Sequence, residues 1–527
     1  MTKKKYFLAA LLSLGLGLNA QDFSNGVFIL NEDQWGTFDS SLNFLDNSGN
    51  FTYNVFQQQN GGTTLGTTTQ FGAIYGDQFF FLSKQPGKKD SHSGRFTVAN
   101  ASTLVRTTDF DTLSTLGEGR SFVGVSADKG YIGTSEGILV YDIKNQTIGN
   151  SIAESLNKGQ VGNMIRGAKY VFAVMQSGGI LVINPETDAV IKTFSGNYTR
   201  VAQSKSGDIW LAKEDTMEQI NQYTLEVAQS ISYPTGIKVR GSWGAWNAGS
   251  FCASNQNNVL YLTNNGEWST GTQIIKYDID KNEFATIYTL SDSALQFYGA
   301  GIRINPKTDE IIANVAKGYE PINWVYKLDN SGNLISTHQL KEHYWFPAMP
   351  IFPDNDAPVV SDQLQSQYTI KEETTIDLKT MATDTDNLSA AIVKSVEVLS
   401  GDTITANINS TDELVITPTK NGTAKIKVTF NSNGKLVSKE IEIVVAGLSV
   451  NDVAKSAFKV YPNPATDFIR VSSEKEASIS IFDLTGKLIK QGNTQGKTFS
   501  VSALPKGLYL LKVEADGQVQ TSKLIIK

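Results

Sequence analysis

The residues in this chain best suited to hold a ligand are aromatic rings and guanidinium groups set in polar loops. Trp35, Trp268 and Tyr319 sit among Gly, Asn and Glu, and an apolar ring in such company needs a reason. Arg120, Tyr198, Arg200, Arg240, Trp243, Tyr298 and Trp324 complete the candidate ligand-binding set. Lys84, Gln176, Lys213, Trp246, Phe297, His343, Tyr344 and Trp345 occupy the same class of loop. Flat aromatic faces beside forked cationic donors suit a polar ring, bound by stacking and bidentate hydrogen bonds. Packing between neighbouring sheets is the other use for Trp243, Trp246 and Trp345.

Motifs for covalent or metal chemistry are missing. His92, His338 and His343 have no zinc-type spacing with the single cysteine, Cys252, or with carboxylates. There is no nucleophile elbow and no phosphate-binding loop. Glu32 and Asp33 are two carboxylates among many, and nothing in the sequence distinguishes them as a pair. No catalytic residue, metal or cofactor is assigned. An enzyme assembled from distant loops, such as a polysaccharide lyase or hydrolase, stands as the alternative to a binder, because the site and not the fold decides function. A protein-interaction scaffold is the third reading.

The elements that must position these loops are strands. Runs of Val, Ile, Tyr, Phe and Thr bounded by Gly, Asn and Asp dominate, an all-β signature. Between Gln21 and Asp356 a strand ending in an Asp or Asn turn recurs seven times. It begins at Leu42, Arg95, Ile138, Ile180, Ile220, Ile274 and Val325. The spacing of roughly forty to fifty residues is the period of a four-stranded propeller blade. The region opens on Gly26–Leu30, which lacks an inner partner, and ends on an unpaired run from Tyr344 to Phe352. Pairing the two closes a ring and covers both edges. Pro347 and Pro350 make that closing strand short or irregular.

The expected organisation is a signal peptide at 1–20, a seven-bladed β-propeller at 21–356, an Ig-like or cadherin-like β-sandwich at 357–446, a linker at 447–457 and a small C-terminal β-sandwich at 458–527. Lys3 to Lys5 precede an apolar run too short to span a bilayer, and Leu18-Asn19-Ala20 offers a cleavage site. The residue directly after that site is Gln21, not a cysteine. One cysteine in the whole chain allows no internal disulfide, so an exported protein of this kind is held by its core. The formal net charge of −6 argues against a nucleic-acid partner. Asp384-Thr385-Asp386-Asn387 reads as an Asx-rich turn, with a calcium site as its alternative.

Two resemblances extend this reading. The pieces Val460-Tyr-Pro-Asn-Pro-Ala-Thr-Asp467, Ile479 to Ile489, Leu504 to Val513 and Ser522 to Lys527 resemble the C-terminal sorting domain of type IX secretion cargo. That resemblance implies passage of the outer membrane by this machinery, and location outside the cell or on its surface. The turns Asn184-Pro-Glu-Thr-Asp188 and Asn305-Pro-Lys-Thr-Asp309, with their Gly-bounded strands, resemble the Bacteroidetes surface propellers related to quinoprotein-like and YncE-like proteins. One branch of these captures corrinoids for an outer-membrane transporter. The resemblance therefore implies capture of a small nutrient, such as a corrinoid, or of a glycan, for delivery to a transporter.

Overall fold

The computed structural model describes residues 22–34, 37–113, 117–239, 251–265, 271–447, 458–473, 475–515 and 517–527. Over the first of the expected units the strands assemble into antiparallel sheets of four. Phe51–Thr52, Ser41–Asp46, Gly26–Asn31 and Pro347–Ile351 form one sheet, and the last of these strands comes from the far end of the region. Thr67–Tyr75 opens a second sheet, Gly119–Gly124 a third, Val161–Arg166 a fourth and Arg200–Gln203 a fifth. Two further sets of four begin at Phe251–Ala253 and Leu295–Ile304, and one bridge between Gly271 and Phe297 joins them into an eight-stranded sheet. The first strand of each set packs against the first strand of the next, and Leu295–Ile304 returns to Pro347–Ile351. This is the architecture of a propeller, its sheets radiating from a central channel.

Alternating residues explain the packing. In Val171–Met175 and Gly179–Ile183 both faces are buried, because each sheet is sandwiched between two others. Outer strands such as Val227–Ser232 face water, and Gln229, Ser230 and Ser232 stand among its apolar residues. The predicted middle strands occur as the third strands of these sheets. The fifth is displaced: the strand is Thr216–Ile220, and the segment from Ile220 expected to be a strand is its turn. Glu218 and Gln219 broke the apolar pattern on the strand, and the assignment slipped onto Ile220 and the turn after it, where Tyr223 stands among Asn221, Gln222 and Thr224.

One turn repeats along the face opposite the candidate loops. Asn100, Asn184, Asn221 and Asn305 each accept a backbone N–H two residues on through the side-chain oxygen. Each chain then folds back with a left-handed residue four positions later, at Leu104, Asp188, Leu225 and Asp309. This side-chain mimicry of a backbone turn is what Asn and Asp do best.

The second unit docks on that face. Its strands form a four-stranded and a three-stranded sheet over a shared core containing Leu414, Ile426, Phe430 and Ile441. Asp412 is fully buried at the boundary, where it pairs with Lys169 of the propeller and Lys394 of its own unit, both at 2.8 Å, and accepts the Tyr223 hydroxyl at 3.2 Å. Burial opposes ionisation of Asp412, but the two ammonium groups outweigh it and hold the carboxyl below its usual range. Gly434 lies so close to Gly76 that an added Cβ would stand 2.3 Å from the Gly76 nitrogen. Lys307 sits within 2.9 Å of Asp354, 3.0 Å of Asp356 and 3.6 Å of Asp386. In the Asp384 turn expected from the sequence, the backbone N–H groups of Asp386 and Asn387 donate to Asp384 Oδ1 at 2.9 Å. The C-terminal unit packs its own core around Ile479, Ile481, Leu511 and Val513.

Replacing Asp412 by Ala strands two ammonium groups at this boundary. The expected cost is about 3–5 kcal/mol. It will be read as a lower denaturation midpoint and faster proteolysis between residues 353 and 358.

Candidate functional site

A cavity of about 410 Å³ opens on the loop-rich face, where the ring closes. Its walls come from distant parts of the chain: Glu32 to Gln34 from the loop after Gly26–Asn31, Thr68, Lys84, Glu118, Tyr298, Tyr319, and Trp345 with Phe346 just before the closing strand. The seam itself holds the two halves together. Glu32 and Asp33 donate backbone hydrogen bonds to the Phe346 and Trp345 carbonyls at 3.1 and 3.2 Å. Asp33 Oδ1 accepts the Trp345 N–H at 3.1 Å, and Oδ2 accepts the Ser41 hydroxyl at 2.7 Å.

Behind the wall runs a ladder of buried amides. Asn43 donates to Asn31 at 2.9 Å, and Asn31 donates to the Tyr344 and Trp345 carbonyls, each at 3.2 Å. Asn54 donates to the Tyr344 hydroxyl at 2.7 Å, and Asn323 to the Tyr344 carbonyl at 3.3 Å. These bonds fix the segment that carries Trp345 and Phe346. Phe346 stacks on Tyr298 at 4.8 Å and meets Tyr319 edge-on at 5.8 Å. Tyr319 is 74% exposed and forms the rim.

The polar groups are unusual for their burial. Glu32 and Asp33 are 2% and 4% exposed. Burial pushes both carboxyls well above their ordinary range, and each is raised further by a neighbouring carboxylate. Glu32 Oε1 accepts the Tyr298 hydroxyl, while Oε2 has no hydrogen-bond partner among the described residues. Thr68 Oγ1, Trp345 Nε1 and, beside the cavity, Arg120 Nε are also buried without partners. Arg120 pairs with Glu118 at 2.7 Å. Lys84 is half-buried, and desolvation, then Arg120, lowers its ammonium below the usual range. Three wall residues, Asp33, Thr68 and Phe346, hold the left-handed backbone conformation, with φ of 56°, 56° and 48°. For a β-branched threonine that is a strained state, costing on the order of 1–3 kcal/mol.

Of the sequence candidates, the structure brings Tyr298 and Tyr319 to this cavity and Arg120 beside it. Tyr198 packs in the blade core, donates its hydroxyl to Glu218 at 2.5 Å and carries Lys213 over its ring at 4.5 Å. Arg200 lies buried on an inner strand and donates to the Thr199 carbonyl at 2.7 Å. Burial and then Arg303 push its guanidinium down to about 9. Trp324 packs among Tyr261, Phe297 and Val315. Trp35, Arg240, Trp243 and Trp268 lie outside the described residues. Lys84 and Trp345 were among the wider loop set. Glu32, Asp33 and Thr68 were not singled out, because only closure of the ring gives them their surroundings.

A family model described as a domain of unknown function, DUF5074, matches residues 25–353. The chain belongs to the DUF5074 family. A second model, the secretion system C-terminal sorting domain, matches residues 459–527. This DUF5074 protein therefore carries the tail of type IX export and is a protein sent out of the cell. Among solved structures, a quinoprotein alcohol dehydrogenase-like protein of Bacteroides thetaiotaomicron aligns with a TM-score of 0.50 at 14% identity, over 63% of this chain and 79% of its own. That likeness speaks for a propeller fold. The extracellular domain assigned to a one-component system of the same organism aligns at a TM-score of 0.39 and 11% identity, covering 95% of this chain and 57% of its own. No curated protein matches the DUF5074 chain. Among the described residues, no helix is long and apolar enough to cross a membrane.

The buried carboxyls set a pH dependence. Glu32 holds its proton more tightly when folded than at its ordinary value of 4.5. The folded state thus binds more protons than the unfolded chain, and stability falls as pH rises from that value through the higher folded one. Glu32→Gln is expected to flatten this fall and to stabilise the protein at neutral and alkaline pH, as read from denaturation midpoints between pH 4 and 9.

Proposed function

We propose that this protein is an exported capture protein. In this reading, a seven-bladed propeller takes a hydroxylated ring of a glycan into the cavity at its seam and delivers it for uptake through an outer-membrane transporter. The count of seven treats the joined eight-stranded sheet as two blades. The second unit is an Ig-like spacer in this reading, and the tail engages the type IX secretion machinery.

The observation that carries the proposal is the set of unpartnered buried polar atoms beside aromatic walls. Glu32 Oε2 donates as the protonated acid and accepts as the carboxylate, Trp345 Nε1 and Arg120 Nε are donors, and Thr68 Oγ1 is either. Buried polar groups without partners call for a missing one. A sugar ring offers hydroxyls that both donate and accept, and a C–H face for Tyr298, Tyr319 or Trp345. The cavity volume falls in the lower half of the range of about 300–1,000 Å³ for small-ligand sites. It suits one or two rings, and a corrinoid would have to rest mostly on the rim. The Glu32–Tyr298 contact favours a second reading, a lyase or hydrolase that uses the buried acid on the bound sugar.

The test is calorimetric titration of the full mature chain with glycans chosen from an array, and with cyanocobalamin. A glycan is expected to bind, and Tyr319→Ala to weaken it about tenfold without changing stability, since this ring is exposed and its stacking is worth roughly 1 kcal/mol or more. Binding of cyanocobalamin alone would replace the glycan by the corrinoid. New reducing ends or unsaturated products on incubation would establish the enzyme.

A further inference from the structure

Three carboxyl side chains line the cavity, Glu32, Asp33 and Glu118, with one ammonium, Lys84. Arg120, just outside, is taken up by Glu118 at 2.7 Å. Even with Arg120 counted, three acids face two cations, a surplus of one acid. Glu32 and Asp33 hold no ion pair among the described residues; their side chains are met by the hydroxyls of Tyr298 and Ser41 and by the Trp345 backbone N–H. Behind Asp33, Lys89 and Asp39 pull in opposite directions. Thr68, 1% exposed, also lines the cavity, and its Oγ1 has no partner among the described residues. The rest of the wall includes four aromatic rings, Tyr298, Tyr319, Trp345 and Phe346. The face of such a ring is negative, so it attracts a cation and disfavours an anion.

We propose that the captured ligand is an amino sugar, whose ammonium pairs with Glu32 Oε2 beside the aromatic wall while a ring hydroxyl reaches Thr68 Oγ1. The inference rests on the capture reading above and narrows it. A neutral sugar satisfies hydrogen bonds but leaves the surplus acid unmatched. An acidic sugar adds a fourth carboxyl to the three. Burial outweighs the pull of Lys84 and keeps the Glu32 carboxyl above its ordinary range. An ammonium in contact supplies the missing counter-charge, so the acid ionises on binding and its proton passes to solvent.

The probes are D-glucosamine, D-glucose, N-acetyl-D-glucosamine and D-glucuronate, compared by ligand-observed NMR titration of the full mature chain, a method that reads weak binding. The titration is run at about pH 6.5, below the roughly 8 at which an α-amino group gives up its proton. Glucosamine is expected to bind about tenfold or more tighter than either neutral sugar, the scale of one charge-assisted hydrogen bond. Glu32→Gln, whose amide oxygen can still accept the Tyr298 hydroxyl, is expected to bring that ratio near one. Lys84→Met removes a competing cation and is expected to keep the ratio or raise it. Equal binding of glucosamine and the neutral sugars, preference for a neutral or acidic sugar, or a glucosamine preference that survives Glu32→Gln or is lost in Lys84→Met would each overturn the amino-sugar assignment while leaving capture standing. Binding of none of the four probes, nor of any array glycan, would overturn capture itself.

Discussion

The antiparallel pairing of Gly26–Asn31 with Pro347–Ile351 is the constraint on which the molecule turns. It joins residues more than three hundred positions apart, and without it two sheet edges would be open to other chains. Its prolines are tolerable because the strand lies innermost, with its other edge on the channel rather than on another strand of the sheet. The register slips by one between Leu30 and Asn31, where Pro347 faces Asn31. Beyond that slip the two chains keep exchanging hydrogen bonds, through Glu32, Asp33, Trp345 and Phe346. The cavity is therefore a product of closure: neither half of the seam could form it alone.

The asparagines at the seam show how such a junction is made specific. Apolar contact alone would let Tyr344 to Phe346 slide, because dispersion has no direction. Asn31, Asn43, Asn54 and Asn323 replace that freedom with bonds of defined length, and for the buried Asn31, Asn43 and Asn323 a lost partner costs roughly 1–3 kcal/mol. Among the described residues, the aromatic cluster of Tyr298, Tyr319, Trp345 and Phe346 then has one arrangement against the carboxyls.

The fold was largely legible because its signals are local. Asx turns, Gly-bounded strands and a repeat of blade length need only a window of a few dozen residues. The one displaced strand, Thr216–Ile220, failed where polar Glu218 and Gln219 stood on the strand and the turn after it offered no Gly or Pro to mark it. The site was legible only in part, since residue type predicts who can bind and not who is left unsatisfied. Tyr298 and Tyr319 were visible as aromatics in loops. Tyr198 and Trp324 looked the same in sequence, but one found Glu218 and the other a blade core. Glu32 and Asp33 were ordinary acids until the chain's far end buried them.

Where local rules are broken is itself informative. A threonine in the left-handed region, two desolvated carboxyls and prolines in a paired strand each cost stability and meet at this seam, beside some of the chain's unpartnered polar atoms; others lie elsewhere, as at Tyr141, Trp210 and Asn314. On the opposite face, Asn387, Leu388 and Asn431 to Asn433 of the second unit line a cavity together with Tyr75, Arg166 and Gln203 of the propeller. At the seam the sequence departs from regular blade building, and the departures meet where the first and last strands of the ring join.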